Sequence, residues 1–374
     1  MKIVIDIRCL MDRHYSGVGW YTYRLIENLL RLDQENEYVL FYNSSKQVEL
    51  PKFTYPNVTY RGFNYPNKLF NLSLNFLSRP QLDLLVDGAD IFFSPNFHFL
   101  AVSEQTKLVI VVHDLSFLIY PPFFTFRQRL WHKLILSKNI LGRAENILVD
   151  SYSTKTDLKE LLKIEEDKIK VNYPGVAENY FSILSEEKLL KVKEKYNLPD
   201  KFILCLGTLE PRKNLISAIK AFNGLKGEEQ LVIAGGTGWK ATEINKLIKG
   251  NQQIKLIGYV EEVDKPALYQ LSSLLLYPSF YEGFGLPPIE AMASGTPVIV
   301  GYNSAQSEVV GEAGLLVDPF DIGQITLAIK SLLSDSELRN ELIRVGRERA
   351  REFSWRKTAE RTLNVFRELK NPRS

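Results

Sequence analysis

Residues 273–300 read "SLLLYPSFYEGFGLPPIEAMASGTPVIV", and four consecutive pieces can be told apart in them. "SLLLYPS" carries a short, wholly apolar run, the mark of a strand buried on both faces. "FYEGFG" follows, where Gly283 and Gly285 give the backbone unusual φ values and leave no side chain in a ligand's way. Pro287 and Pro288 suit the start of a helix and Gly295 its end, so "PPIEAMAS" reads as a short helix with Glu290 in its first turn. "TPVIV" is again a buried strand. The loop with Glu282 leaves the C-terminal end of its strand, the edge at which open α/β sheets bind ligands.

The same alternation runs through the chain. Apolar strand candidates are 2–7 "KIVIDI", 38–42 "YVLFY", 90–94 "DIFFS", 108–112 "LVIVV" and 146–150 "NILVD", then "FILCLG", "QLVIAGG", "QIKLIGYV", "SLLLYPS" and "TPVIV". Segments with apolar residues three and four apart lie between them, which argues for parallel, doubly wound α/β sheets. A polar Lys and Glu rich stretch at 185–201 separates two such series. Two Rossmann-like domains facing a central crevice are expected, residues 1–178 and 179–355, with a helix over about 356–374 packing back on the first. The 374 residues agree, since single cores stop growing at roughly 250–300.

A net charge of +3 from 47 basic and 44 acidic residues gives no reason to expect a nucleic-acid partner. Cys9 and Cys205 lie in different halves, each in an apolar strand-like run, so a disulfide is not expected and a cytoplasmic setting fits. No run approaches the roughly 18 apolar residues of a membrane span, which leaves peripheral contact as the expectation. The Arg-rich end, "SELRNELIRVGRERAREFSWRKTAERTLNVFREL", reads as a solvated helical face.

Several polar residues stand at strand ends. Backbone N–H groups of Phe284, Gly285 and Leu286 at a helix N-terminus favour an anion such as a phosphate. Arg212 and Lys213 in "LGTLEPRKNLISAIKAF" also precede a helix, whose dipole disfavours cations; a bound diphosphate would account for them. Gly17 and Gly19 in "HYSGVGWYTYRLIENLL" resemble a phosphate turn, but Thr22 stands where G-x-G-x-x-G needs its third glycine, which weakens an NAD assignment. His113 ends an apolar strand and either donates to a substrate or orients the next loop. The four histidines show no metal-ligand spacing and no Asp-x-Asp occurs, so no metal is expected.

Together "SGVGWYTYRLIENLL", "HDLSFLIYP", "SYSTKTDLKELL", "YPGV", "GTLEPRKNL", "LIGYV" and "YEGFGLPPIEAMASGTPVI" resemble, in order, the retaining enzymes of glycosyltransferase family 4 with the two-domain GT-B fold. The E-x7-E pattern is Glu282 and Glu290. The resemblance implies that Glu282 bonds hydroxyls of the donor sugar and Glu290 the ribose. It implies that Gly283, Phe284, Gly285 and Leu286 line the sugar and diphosphate, and that Arg212 and Lys213 stabilise the leaving diphosphate. His113 would touch the sugar, Gly17 and Gly19 would admit the phosphates, and Gly258, Tyr259 and Val260 would meet the base. Front-face displacement without a metal is the implied chemistry.

"SPNF", "GGTGWK" and "SAQSEVVGEAGLLVDP" are similar to stretches of bacterial mannosyltransferases that use GDP-mannose and build surface polysaccharides such as O-antigen. A nucleotide sugar is then the co-substrate, and a saccharide or polyprenyl-diphosphate-linked saccharide the acceptor. UDP-glucose, UDP-N-acetylglucosamine and dTDP-rhamnose stay open as donors. An epimerase, a sugar phosphorylase and a non-catalytic sugar-nucleotide-binding subunit stay open as functions. Residues 120–144 interleave aromatics with Arg127, Arg129, His132, Lys133, Lys138 and Arg143; this segment either rests on an anionic membrane surface or is an amphipathic helix with a solvated basic face.

Overall fold

The computed structural model describes residues 1–135, 138–240 and 242–370, without the side chains of 138 and 139. The chain divides into two compact units. Unit 1 holds Met1–Leu115, Phe126–Gly175 and Trp355–Ser374, and unit 2 holds Ser116–Thr125 and Val176–Ser354.

Unit 1 is built on seven parallel strands, β1 (Lys2–Asp6), β2 (Glu37–Asn43), β3 (Val58–Phe63), β4 (Ile91–Ser94), β5 (Lys107–Val112), β6 (Asn146–Val149) and β7 (Ile169–Val171), in the order β3-β2-β1-β4-β5-β6-β7. Unit 2 has six parallel strands, β8 (Phe202–Leu206), β9 (Gln230–Ala234), β10 (Ile254–Gly258), β11 (Leu274–Tyr277), β12 (Val298–Gly301) and β13 (Leu315–Val317), ordered β10-β9-β8-β11-β12-β13. Each sheet therefore starts in its middle, winds one way, then reverses. The reversal points lie between β1 and β4 and between β8 and β11, and α/β sheets place ligands at the C-terminal ends of such strands.

The central strands carry the core because both their faces are covered by helices. Ile3, Val4, Ile5, Val109 and Val111 in unit 1, and Ile203, Leu204, Leu275 and Ile299 in unit 2, have no exposed surface. β3, β7 and β13 are absent from the sequence expectations, and all three are sheet edges. In "VTYRGF" of β3 the middle four residues are exposed, so no apolar run or alternation marks it.

Ser16 caps the helix Gly17–Leu32, its Oγ accepting from the Gly19 amide at 3.4 Å, and the helix buries Tyr21, Leu25, Ile26, Leu29 and Leu30 on one face. Gly17 and Gly19 thus lie inside the first turn, where the sequence suggested a loop before it. Cys9 sits in the 3-10 turn Arg8–Leu10 beyond β1, and Cys205 in β8; both are free thiols. The helix Trp355–Lys370 belongs to unit 1. Asn172 donates to the Thr358 carbonyl at 3.1 Å and Thr362 Oγ1 at 2.9 Å, while Trp355 packs edge-on against Tyr21 and Phe366 against Phe93.

The segment 116–125 leaves β5 and packs in unit 2. Trp239 donates its indole N–H to the Phe123 carbonyl at 2.7 Å, and the rings of Phe123 and Phe280 stand 5.3 Å apart. The basic stretch at 120–144 is therefore not one helix throughout: it opens in the 3-10 turn Pro121–Phe123, and its described helical residues are Phe126–Ile135 and Lys138–Arg143, with residues 136 and 137 outside the described ones. The Arg-rich end is solvated only in part. Arg344 lies between Glu341 and Glu348 on the surface, but Arg347 donates to the Phe181 carbonyl and Arg349 to those of Glu308 and Val309. No described helix is long and apolar enough to cross a membrane.

Candidate active site

The ends of β8 and β11 in unit 2 bring Arg212, Lys213 and Glu282 together. The loop after β8 tightens into the 3-10 turn Pro211–Lys213 and stops at Asn214, whose backbone is left-handed (φ 54°) and whose side-chain Nδ2 donates to the carbonyls of Pro278 and Pro319. Phe280 N–H donates to the Arg212 carbonyl at 2.9 Å and ties this turn to the loop after β11. Glu282, itself buried, accepts from Arg212 Nη1 on Oε2 at 2.6 Å and from Lys213 Nζ on Oε1 at 2.7 Å. Arg212 also pairs with Glu210 at 2.8 Å, and Lys213 donates to Tyr277 Oη at 2.6 Å.

Two half-buried cations and two buried carboxylates thus form a formally neutral cluster. Burial by itself would raise the Glu282 carboxyl, but Arg212 and Lys213 outweigh it and hold the group at about 2. Burial lowers Lys213, with Glu282 opposing. A bound anion is not needed to explain the two cations: Glu210 and Glu282 already pair them, which sequence spacing could not show. Glycine makes the packing possible. A Cβ on Gly207 would lie 3.3 Å from Lys213 Cε, and one on Gly235 would lie 2.0 Å from the Gly207 carbonyl oxygen.

Glu290 lies in a second cluster. Gly285 takes a left-handed conformation (φ 97°) and the helix Leu286–Ala293 starts at once, which puts Glu290 fifth in it and beyond the first turn. Its Oε2 accepts from Tyr269 Oη at 2.8 Å. Burial raises its pKa, Lys265 lowers it and Glu262 raises it, so one lysine serves two carboxylates here. Lys265 pairs with Glu262 at 2.6 Å, and Tyr180 donates to Glu262 at 2.7 Å. Glu262 and Lys265 follow directly on Gly258, Tyr259 and Val260 at the end of β10, where Gly258 has φ 73°, Tyr259 is exposed and Val260 buried. In the loop before Glu290, the Phe284 ring packs edge-on against Phe353.

In unit 1, His113 at the end of β5 has both ring nitrogens beside acceptors, Nδ1 2.7 Å from Asp150 Oδ2 and Nε2 2.9 Å from the Pro95 carbonyl. With Asp150 ionised, two acceptors call for two N–H groups, the imidazolium form; burial raises the Asp150 pKa and opposes this, with His113 lowering it. Burial lowers the His113 pKa, but Asp150 and the Pro95 carbonyl outweigh burial and raise it. Gly17 faces open space, whereas a Cβ on Gly19 would meet Tyr15 Cβ at 2.9 Å, so Gly19 is set by packing. Thr22, at the third glycine position, is buried and accepts from Cys9 Sγ at 3.3 Å. No group of three or more His, Cys, Asp or Glu among the described residues is placed to hold a metal ion.

The family model Glycosyltransferase Family 4 matches residues 15–180, and that of Glycosyl transferases group 1 matches 186–349. O-antigen chain mannosyltransferase B of Escherichia coli is 30% identical over 372 residues, 95% of this chain and 96% of the relative. The chain belongs to glycosyltransferase family 4. Serotype-specific mannosyltransferase WbdA of E. coli is also 30% identical, over 70% of this chain and 34% of its own length. Sucrose-phosphate synthase from Thermosynechococcus elongatus shares the fold, with a TM-score of 0.80 at 21% identity over 99% of each chain. HepE of Anabaena, solved in complex with UDP-glucose, superposes with a TM-score of 0.76 at 18% identity, covering 98% of this chain and all of the other.

The family-4 chain is thus an enzyme, a hexosyltransferase with the GT-B fold. Sequence reasoning picked out Arg212, Lys213 and Glu282 but missed the groups that hold them. Glu210 stands three residues after Gly207 in the quoted "LGTLEPRKNL", and Gly235 in "GGTGWK"; both were legible as residues, not as partners. Tyr277, Tyr269, Lys265 and Asp150 carried no local signal, since their roles depend on strands and helices far away in sequence.

Proposed function

We propose that this hexosyltransferase moves mannose from GDP-mannose, with retention of anomeric configuration, to a saccharide or polyprenyl-diphosphate-linked saccharide in surface polysaccharide assembly. The likeness to O-antigen chain mannosyltransferase B over nearly the whole of both chains carries this reading. The neutral cluster of Glu210, Arg212, Lys213 and Glu282 supports a role for it in the chemistry. A diphosphate competes with Glu282 for Lys213 and Arg212; the carboxylate oxygens this releases accept hydroxyls of the donor sugar. The two cations then stabilise charge on the departing nucleoside diphosphate, whose phosphate oxygen takes the acceptor's proton as the new glycosidic bond forms on the same face. Glu290 holds the ribose, Gly258 to Val260 the base, and Gly283 to Leu286 the sugar and phosphate. Gly17 and Gly19 admit the phosphates. His113 donates to the sugar, which requires Nε2 to leave the Pro95 carbonyl.

Arg212 and Lys213 supply the positive charge a metal would otherwise bring, so turnover is expected to persist in EDTA. Thermal denaturation with GDP-mannose, GDP, UDP-glucose, UDP-N-acetylglucosamine and dTDP-rhamnose tests the donor, because a ligand that binds the native state raises Tm. A shift with the guanosine nucleotides alone is expected. A shift with uridine or thymidine nucleotides and none with GDP overturns the mannose assignment. The acceptor is proposed to be met at the cytoplasmic membrane face, where exposed Phe126, Leu130, Trp131 and Leu134 alternate with exposed Arg127, Arg129 and Lys133.

A further inference from the structure

Three aromatic side chains gather around the first turn of the helix Gly17–Leu32, just beyond the C-terminal end of the switch strand β1. Trp20 stands edge-on to Tyr15 at 5.2 Å and to Tyr23 at 5.8 Å, and Tyr15 and Tyr23 are 6.2 Å apart. Phe53, buried, supports Tyr23 from behind at 5.5 Å. The three rings themselves are half-buried. Gly19 is what lets them meet, since a Cβ there would collide with Tyr15. The Tyr15 and Tyr23 hydroxyls and the Trp20 indole N–H make no hydrogen bond among the described residues. All three polar atoms are open to solvent, where the hydroxyls of a ligand can meet them. The nearby cation, Arg24, 5.7 Å from the rings of both Trp20 and Tyr23, shares Glu27 with Arg31, at 3.2 and 3.0 Å.

We propose that Tyr15, Trp20 and Tyr23 form a stacking platform that binds the acceptor saccharide. A sugar ring offers a flat C–H face and a rim of hydroxyls, and the platform offers ring faces edged by two hydroxyls and one N–H. Its faces are apolar and its edges carry neutral donors, the pairing that a saccharide's C–H face and hydroxyl rim call for. The proposal rests on the glycosyltransferase reading for the presence of an acceptor, but it does not depend on which donor is used.

The test uses the full chain labelled with 5-fluorotryptophan, which gives one fluorine resonance for each of its four tryptophans. Trp20→Phe assigns the resonance of Trp20. Mannotriose, maltotriose and triacetylchitotriose are titrated separately, and GDP-mannose serves as the donor control. A saturable shift of the Trp20 resonance with at least one oligosaccharide is expected, with the Trp239 and Trp355 resonances unmoved and the shift still present when GDP-mannose is already bound. Tyr15→Ala with Tyr23→Ala should weaken that binding roughly tenfold or more. Tyr23→Phe, which keeps the ring, separates lost stacking from lost folding and should weaken it less. A Trp20 resonance that ignores all three oligosaccharides, or binding unchanged in the double variant, overturns the platform. A missing GDP-mannose effect on Tm would instead count against the donor assignment alone.

Discussion

Glu282, itself buried, holds two cations at once, and its removal has consequences that loss of a surface carboxylate would not. Glu282→Ala leaves Lys213, largely shielded from water, without its carboxylate and should cost about 3 kcal/mol in urea denaturation, as breaking such a pair from one side does. Glu282→Gln keeps the shape and should cost less, while turnover falls roughly 100-fold or more as the cations lose their alignment. The pH dependence follows from its depressed pKa of about 2 against an ordinary 4.5. This group's stabilisation is complete above about pH 4.5 and is lost as pH falls towards 2. Urea midpoints across that range should therefore drop more steeply for the natural chain than for Glu282→Gln. His113 runs the other way: its raised pKa makes a contribution that is full below about 6.5 and fades as pH rises through the folded value. Asp150→Asn should flatten the alkaline fall in Tm. At this scale the sequence exposed the charged residues themselves, because charged groups at the mouths of apolar strands are conspicuous. It could not expose their pairing, because Arg212 and Glu282 are 70 positions apart.

Elements end where the backbone permits, and the end of β9 shows it. Gly235 has φ 142° and no room for a methyl group beside the Gly207 carbonyl, whereas Gly236 next to it has open space. Gly235→Ala should destabilise unit 2 by more than about 3 kcal/mol, from overpacking and backbone strain together, and Gly236→Ala by less than about 1. Paired thermal melts of the two variants check this; equal Tm values would refute the close approach of β8 and β9. Buried strands such as β5 and β11 declare themselves through unbroken apolar runs. β3, β7 and β13 do not, because β3 has mostly exposed side chains and β7 and β13, Ile169–Val171 and Leu315–Val317, are too short for a run or a period to show.

Across the whole molecule the small net charge conceals an uneven division. Unit 1 carries 27 Lys and Arg against 21 Asp and Glu, which leaves 20 against 23 of the totals for unit 2. Unit 1 also has the helix Asn67–Leu77, whose Phe70 and Leu74 are buried while Leu69, Leu72, Phe76 and Leu77 are more than half exposed. No acidic residue occurs from Leu50 to Leu82 or from Leu115 to Ala144. The right-handed crossover rule puts this helix and Phe126–Ile135 on the same face of the unit 1 sheet. Sedimentation with vesicles should therefore show binding to phosphatidylglycerol-containing bilayers and not to pure phosphatidylcholine, weakened several-fold by salt or by Leu72→Ser with Trp131→Ser. Equal binding to both bilayers would refute an electrostatic contribution.

The sequence by itself determined the doubly wound α/β architecture and the family, because periodicity and ordered motifs are local properties that survive without coordinates. Only the tertiary structure decided that segment 116–125 belongs with unit 2, that Glu282 holds both cations of the "PRK" turn, and that Gly19 serves the seating of Tyr15. The first two join residues far apart in the chain, whereas Gly19 and Tyr15 are four residues apart and only the path of the backbone there shows their close approach. Parallel pairing needs long crossovers, so the partners of a site residue lie at sequence distances that no local pattern encodes.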